Sequence, residues 1–413
     1  MYFSKNYPSL IFLIKNRYSV VNMKGRLSFL SYAVILLLST ISFRSVNNLI
    51  GTTVPLQSKY LLSFTNENVG LLTSLIFLIN FLTIFFINTR LRGRVRKIAF
   101  VMSYWILAFL LPMLFYADKF TIFIYAAASG FIFGIINPNI INAASMENDS
   151  YRLERLLSLY STGLSISLII GPLIETYYLK FYSYNTMYLI FIPLGLMGAI
   201  SSIFLNIDIP EEKRGNDRIQ NKKGLVASII TNTTYNIPFA AMVSFLPIFV
   251  IDRFHVSSQL AYFTFIPFYT VSFLTRLSMT IRPFKNLLFP LLTSFLLTAI
   301  GVAGLFISSN YLIMILFIII LGIPHGAIFP MSTILISRTT TKGERNKANS
   351  YFLAINNGFF VIVPIAIGVE SLYIGLNYSF LSLLVPITIL PIIFIKIYGK
   401  EQFLTYKYMS RES

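Results

Sequence analysis

Apolar residues fall into twelve long stretches separated by short polar breaks, near 28–54, 69–88, 98–117, 120–145, 156–178, 186–205, 225–251, 259–281, 286–308, 311–336, 350–370 and 374–396. At about 1.5 Å per residue, each can cross a hydrocarbon layer about 30 Å thick. Inside lipid the backbone groups must be satisfied within the segment, so runs of this length predict helices. Membrane strands would be about half as long and would alternate in polarity, whereas these runs are continuously apolar. The longest break, Asn206 to Gly224, carries five basic and four acidic residues with no apolar face. It predicts a solvated linker, 206–224, between bundles of six helices at 28–205 and 225–396, with polar ends at 1–27 and 397–413.

The residues that punctuate these helices repeat. Gly130, Gly134, Pro138 and Pro172 recur 192 residues later as Gly322, Gly326, Pro330 and Pro364, and Pro55 maps onto Pro247. A shared register of Gly and Pro in an apolar chain points to a duplicated membrane bundle, with helices 1, 4 and 5 equivalent to 7, 10 and 11. These positions, with Gly171 beside Pro172, are expected to bend their helices.

Composition agrees with the pattern. Hydrophobic residues make up 56 %, charged residues 12 %, and mean hydropathy is +0.73. A soluble domain carries about 25 % charged residues, so this chain lacks the polar surface of one. The net charge of +18 would suggest nucleic acid in a soluble protein, but its placement says otherwise. With the N-terminus in the cytoplasm, 28 of the 33 Lys and Arg residues fall on that side and only Lys59, Lys119, Lys180 and Arg253 on the other. The positive-inside rule therefore predicts cytoplasmic termini and no nucleic-acid partner. The basic flank Met23-Lys24-Gly25-Arg26 also makes Met23 an alternative start. The chain has no cysteine, and its only histidines are His255 and His325. There is no histidine pair at metal-ligand spacing and no Walker-type phosphate loop, so no metal, cofactor or ATP-driven step is expected.

Gly322-x-x-x-Gly326-x-x-x-Pro330, then Arg345-Asn346-Lys347-Ala348, Gly358, Pro364 and Gly368, resembles the tenth helix, basic loop and eleventh helix of the major facilitator superfamily. Arg90-Leu91-Arg92-Gly93-Arg94-Val95-Arg96-Lys97 is similar to its helix 2–3 loop, with Arg90 where an aspartate normally precedes the glycine. Thr275-Arg276-Leu277-Ser278 resembles the second copy, again without that aspartate. Ser167-x-x-x-Gly171-Pro172 is similar to the antiporter motif, and Ala126 stands where helix 4 often carries an arginine. The resemblance covers about 28–396. It implies an all-α fold of two pseudo-symmetric six-helix bundles, and a secondary transporter that moves a small organic solute by rocking one bundle against the other. Proton-coupled efflux is one form; an uncoupled facilitator for an anionic or neutral metabolite is another, and a membrane sensor on the same fold is a third. A monomer in lipid at the plasma membrane is expected, with no enzyme activity.

A charge in mid-membrane costs about 2.5–3.5 kcal/mol on insertion scales, so intramembrane ionisable residues stand out. Arg44 lies near the middle of helix 1, with Thr40, Asn48, Gly51 and Pro55 on one face. It is either a solute or coupling-ion contact or a structural arginine. Asn236 is its counterpart in the repeat, and Asn137 and Asn357 are further cavity candidates; each asparagine is otherwise an interhelical hydrogen-bonding group. His325 and Glu175 are the proton-coupling candidates, with a neutral packing histidine as the alternative for His325. At the cytoplasmic end, Arg92 and Arg94 are expected to close against Glu147 or Asp149, and Arg282 against Glu344.

Overall fold

The computed structural model describes residues 28–91, 93–145, 150–207, 219–282, 284–340 and 342–405. Met23, Arg92, Glu147, Asp149 and most of the expected linker lie outside them. The chain is helical throughout: α1 Phe29–Leu56, α2 Asn66–Leu82, α3 Gly93–Phe115, α4 Thr121–Ala144, α5 Ser150–Tyr178, α6 Ile192–Phe204, α7 Lys223–Phe254, α8 Phe265–Ile281, α9 Leu288–Ile307, α10 Tyr311–Thr339, α11 Lys342–Ser382 and α12 Leu384–Tyr398. Two π-turns, Gln57–Leu61 and Thr83–Ile87, extend α1 and α2, and short helices at Met187–Ile190 and Ser258–Phe263 lead into α6 and α8.

Ten helices among the described residues are long and apolar enough to cross a membrane. The sequence pattern expects twelve, and the difference has two physical sources. Thr264 divides the stretch leading into α8, leaving 17 residues in the longer piece. The tenth, Ala348–Tyr398, is 51 residues long and turns at Gly375, whose φ of 77° is open to glycine without a Cβ clash. The Ser382 hydroxyl donates to Glu370 Oε2 at 2.9 Å across that turn. A straight helix would hold residues twelve apart at about 18 Å, so the chain reverses there.

Two large hydrophobic cores form, with a smaller one of Ile219, Leu225, Ile336, Ala348 and Phe352. One gathers Phe43, Phe100, Tyr104, Phe133, Tyr188 and Phe191 from α1–α6. The other gathers Phe245, Phe249, Tyr262, Phe268, Phe380 and Phe394 from α7–α12. Large apolar side chains also point outward, such as Phe109, Leu296 and Ile392 at 60–64 % exposure. Helices apolar on every side fit a hydrocarbon surround, because lipid tails solvate the outer face as well as the core does. At the end that carries the chain termini, Lys97 donates to the carbonyls of Ser202 at 2.7 Å, Ile203 at 2.9 Å and Leu205. These are the unpaired carbonyls that close α6, and a cation suits that end of a helix dipole.

The 192-residue register holds in three dimensions. A Cβ added at Gly130 would meet Ile76 O and, at 3.0 Å, Ile79 Cβ; at Gly322 it would meet Phe268 O at 2.6 Å and Val271 Cβ at 2.9 Å. Ile76 and Ile79 shifted by 192 are Phe268 and Val271. Gly134 against Asn80 and Thr83 likewise matches Gly326 against Ser272 and Thr275. These four glycines are sites where α2 meets α4 and α8 meets α10 backbone to backbone. Within α4 and α10 the helix runs on through Gly130, Gly134, Pro138, Gly322, Gly326 and Pro330. Pro172 lies inside α5 and Pro364 inside α11 in the same way.

Candidate functional site

Arg44 is the sixteenth residue of the 33-residue helical stretch Phe29–Leu61, so it lies at half depth. It is half-buried, with its guanidinium carbon 5.8 Å from the Phe43 ring centre. Its Nη2 donates to the Tyr160 hydroxyl of α5 at 3.4 Å. No carboxylate pairs with it among the described residues. One turn further along, half-buried Asn48 faces Gly171 of α5, where an added Cβ would stand 3.6 Å from Asn48 Nδ2. That Nδ2, the Ser45 hydroxyl and Asn137 Oδ1 are buried and make no hydrogen bond. The first bundle thus presents a cation and polar groups whose bonding capacity is unfilled.

The equivalent face of the second bundle is knitted together. Asn232 Nδ2 donates to Asn356 Oδ1 at 2.7 Å, and Asn236 Nδ2 donates to the Asn356 carbonyl at 2.9 Å, tying α7 to α11. Asn236 is therefore bonded to α11, and half-buried Asn357 sits beside that clamp. His325, at half depth in α10, is enclosed by Phe239, Phe268, Tyr235 and Tyr269, with ring centres 4.3, 4.9, 5.5 and 5.8 Å away. Arg276 of α8 donates to the His325 carbonyl at 3.4 Å. Arg44 and Asn236 occupy equivalent places with different partners; they are not joined to one another.

Glu175 lies near the far end of α5, away from the termini. It is fully buried, and neither carboxylate oxygen has a hydrogen-bond partner. The phenols of Tyr188, Tyr262 and Tyr269 lie within electrostatic reach of it. Tyr188 OH and Thr176 Oγ1 are also buried and unbonded. Beside this group Tyr262 OH and Thr53 Oγ1 share a hydrogen bond of 2.7 Å between the bundles.

The bundles meet at that far end. Tyr60 donates to Asp252 Oδ1 at 2.6 Å, and this bond, like Thr53–Tyr262, joins the two bundles. At half depth the Phe77 and Phe360 rings touch across the divide, 4.9 Å between centres. At the opposite end the expected Arg282–Glu344 pair does not form. Glu344 is buried and accepts from the Gln220 backbone amide at 2.6 Å, while Arg282 is exposed. Arg94 is exposed too. Sequence reasoning missed Tyr60, Asp252, Thr53, Tyr262 and Tyr160. Tyr60 and Asp252 are 192 residues apart, so the repeat register alone places them across the pseudo-twofold axis.

Two matched helix bundles with polar residues buried at half depth make a membrane transporter of the two-bundle type. The family model described as Major Facilitator Superfamily matches residues 36–290 and 288–407, and the chain belongs to that superfamily. It is a transporter and not an enzyme. No curated protein matches the sequence. A bacterial homologue of the human lysosomal transporter Spinster, in an inward-facing and unoccupied conformation, superposes with a TM-score of 0.69 at 12 % identity, covering 93 % of this chain and all of that one. A mutant of the nucleoside transporter NupG gives 0.64 at 15 % identity, covering 89 % of this chain and all of that one. A POT family transporter in complex with a thioalcohol-conjugated peptide gives 0.72 at 12 % identity, covering 88 % and 95 %. At these identities the likeness is one of fold.

Proposed function

We propose that this protein is a secondary transporter for a small organic anion. In this reading 28–205 rocks against 225–396, with twelve spans and both termini in the cytoplasm of a cell with this protein in its plasma membrane. One observation carries it: Arg44, a cation at half depth, has a phenol and a ring beside it and no carboxylate. An arginine in the membrane interior is costly unless paired, and an anionic solute supplies the missing charge while a cationic one is repelled. The unbonded Asn48 and Asn137 beside the path offer neutral hydrogen bonds to the rest of such a solute.

Of the two proton-coupling candidates, Glu175 fits better. It is an acid buried without a partner, whereas His325 is packed into an aromatic box and reads as part of the wall. Counterflow of labelled organic anions, cations and neutral solutes into proteoliposomes tests the reading, with and without a pH gradient. Arg44→Ala is expected to lower anion counterflow about 100-fold, roughly 2.7 kcal/mol of lost interaction, and Arg44→Lys to retain part of it. Anion flux unchanged in Arg44→Ala would overturn the assignment, and flux indifferent to the gradient would remove the proton.

A further inference from the structure

Two seams close the far end of the molecule, and the repeat makes them equivalent: α2 with α11, and α5 with α8. They are built from opposite materials. At the α2–α11 seam an added Cβ at Gly70 would strike the Pro364 carbonyl, and one at Gly368 would stand 2.6 Å from Asn66 O and 3.1 Å from Glu67 Cα. Glycine there lets backbone lie on backbone. Shifted by 192, Gly70 becomes Tyr262, Gly368 becomes Thr176, Pro364 becomes Pro172 and Ile367 becomes Glu175. At the α5–α8 seam the small residues are therefore replaced by side chains that carry oxygen. The result is a buried layer of Glu175, Thr176, Tyr188 and Tyr262, next to Thr53.

We infer that this layer is an occluded site for a small monovalent cation, and that the α5–α8 seam closes only when Glu175 is neutralised there. The inference rests on the alternating-access reading above and adds what the ion does. Both Glu175 oxygens, Tyr188 OH and Thr176 Oγ1 are buried with no hydrogen-bond partner. An unpaired carboxylate in such surroundings carries a desolvation penalty that a proton or a hard cation removes. A proton and Na⁺ share the relevant chemistry, a positive charge small enough to sit among oxygens. On α8 the cation is Arg276, which donates to the His325 carbonyl, and neither Glu175 oxygen has a hydrogen-bond partner. The phenols of Tyr188, Tyr262 and Tyr269 are neutral donors. On α1, Arg44 lies below Asn48, Lys59 lies in the turn past the helix, and α4 has no acid or base beyond Tyr125. Opening the seam exposes Glu175 to the far compartment, so the ion enters from that side, and the α2–α11 seam serves as the hinge.

The absence of cysteine makes the test direct. Spin labels are placed across the α5–α8 seam at Phe181→Cys and Ser257→Cys, and separately across the α2–α11 seam at Thr65→Cys and Tyr373→Cys. Distances are measured in nanodiscs at pH 5 and pH 8, in KCl or NaCl. In KCl, raising the pH is expected to lengthen the α5–α8 distance by several ångströms and leave the α2–α11 distance unchanged. With Glu175→Gln, which is neutral at every pH, the α5–α8 distance stays short throughout. Closure by NaCl at pH 8 identifies sodium as the ion, and closure only by acid identifies the proton. Equal movement of both seams, or a pH response that survives Glu175→Gln, overturns the inference. Anion counterflow measured on the same samples separates the outcomes, since loss of that flux from the unsubstituted protein sinks the transporter reading itself.

Discussion

The two bundles share a backbone plan and differ in what they leave unfinished. In the first, Phe43 packs against Phe133 with ring centres 5.7 Å apart; in the second, the equivalent Tyr235 packs against His325 at 5.5 Å. Next to these pairs stand Arg44, held by one long phenol contact, and Asn236, locked onto the Asn356 carbonyl. Duplication preserved the ring contact, and divergence put an open cation on one side and a closed amide clamp on the other. The lesson is that the first bundle leaves a cation without a carboxylate where the second ties its amide to a neighbouring helix.

The glycines offer the strongest way to break this comparison. Gly134→Leu and Gly326→Leu both drive a side chain into the neighbouring backbone, at Asn80 O and Ser272 O. Each is expected to cost about 3 kcal/mol, read as lost folded yield and lowered melting temperature in detergent. A large effect at only one of them would mean that the bundles do not share their packing. Next comes the clamp: Asn356→Leu removes the side-chain acceptor of Asn232 and is expected to cost about 1–2 kcal/mol by thermal unfolding. Thr40, at the place of Asn232, bonds within its own helix to Leu36 O, so Thr40→Val should cost less than half as much.

His325→Phe places in the second bundle the residue the first already has at that position. It is expected to change stability by under about 1.5 kcal/mol and to leave anion counterflow and its pH profile intact. A flattened pH profile would restore His325 as the coupling group.

The smallest expected effect concerns two helix caps. Asp118 Oδ1 accepts from the Thr121 amide at 2.8 Å, the Thr121 hydroxyl at 2.8 Å and the Phe120 amide at 2.9 Å. These bonds, the Thr121 amide first, hold its carboxyl below the usual range. Its counterpart Asn310 caps α10 through the Ile313 amide at 3.0 Å and does not titrate. A depressed folded pKa means that the contribution is present above the ordinary aspartate value near 3.9 and is lost as pH falls through the folded value. Amide protection at the start of α4, taken relative to the intrinsic exchange rate at each pH, should therefore fall in acid while that at the start of α10 holds. Asp118→Asn should remove the difference.

Much of the fold was legible because membrane helices announce themselves by length and continuous apolarity, and the duplication by Gly and Pro. A break here was legible as the gap at 371–373 between spans 350–370 and 374–396, but the turn itself falls at Gly375, inside the expected last span, and the reversal is visible only through Ser382 and Glu370. Arg44, His325 and Glu175 were legible because ionisable residues are rare in such helices. Their surroundings were not. Whether an asparagine is spoken for, as Asn236 is, or unfilled, as Asn48 is, depends on helix rotation that a hydropathy pattern does not encode. The close approach at the glycines was hidden for a related reason, since it depends on which carbonyl stands opposite. The acceptor role of Glu344 towards the Gln220 backbone amide was not legible either, because a loop charge has many partners within reach.

Tyr60 and Asp252 hold the same place in their respective bundles, so the bond between them straddles the molecule's own symmetry axis. A swap of the two residues would leave the contact in place, and neither bundle contributes more leverage to it. In the proposed motion the far end opens about the α2–α11 seam, and this bond crosses the gap that widens. It then acts as a clasp that has to be undone before the far side is entered.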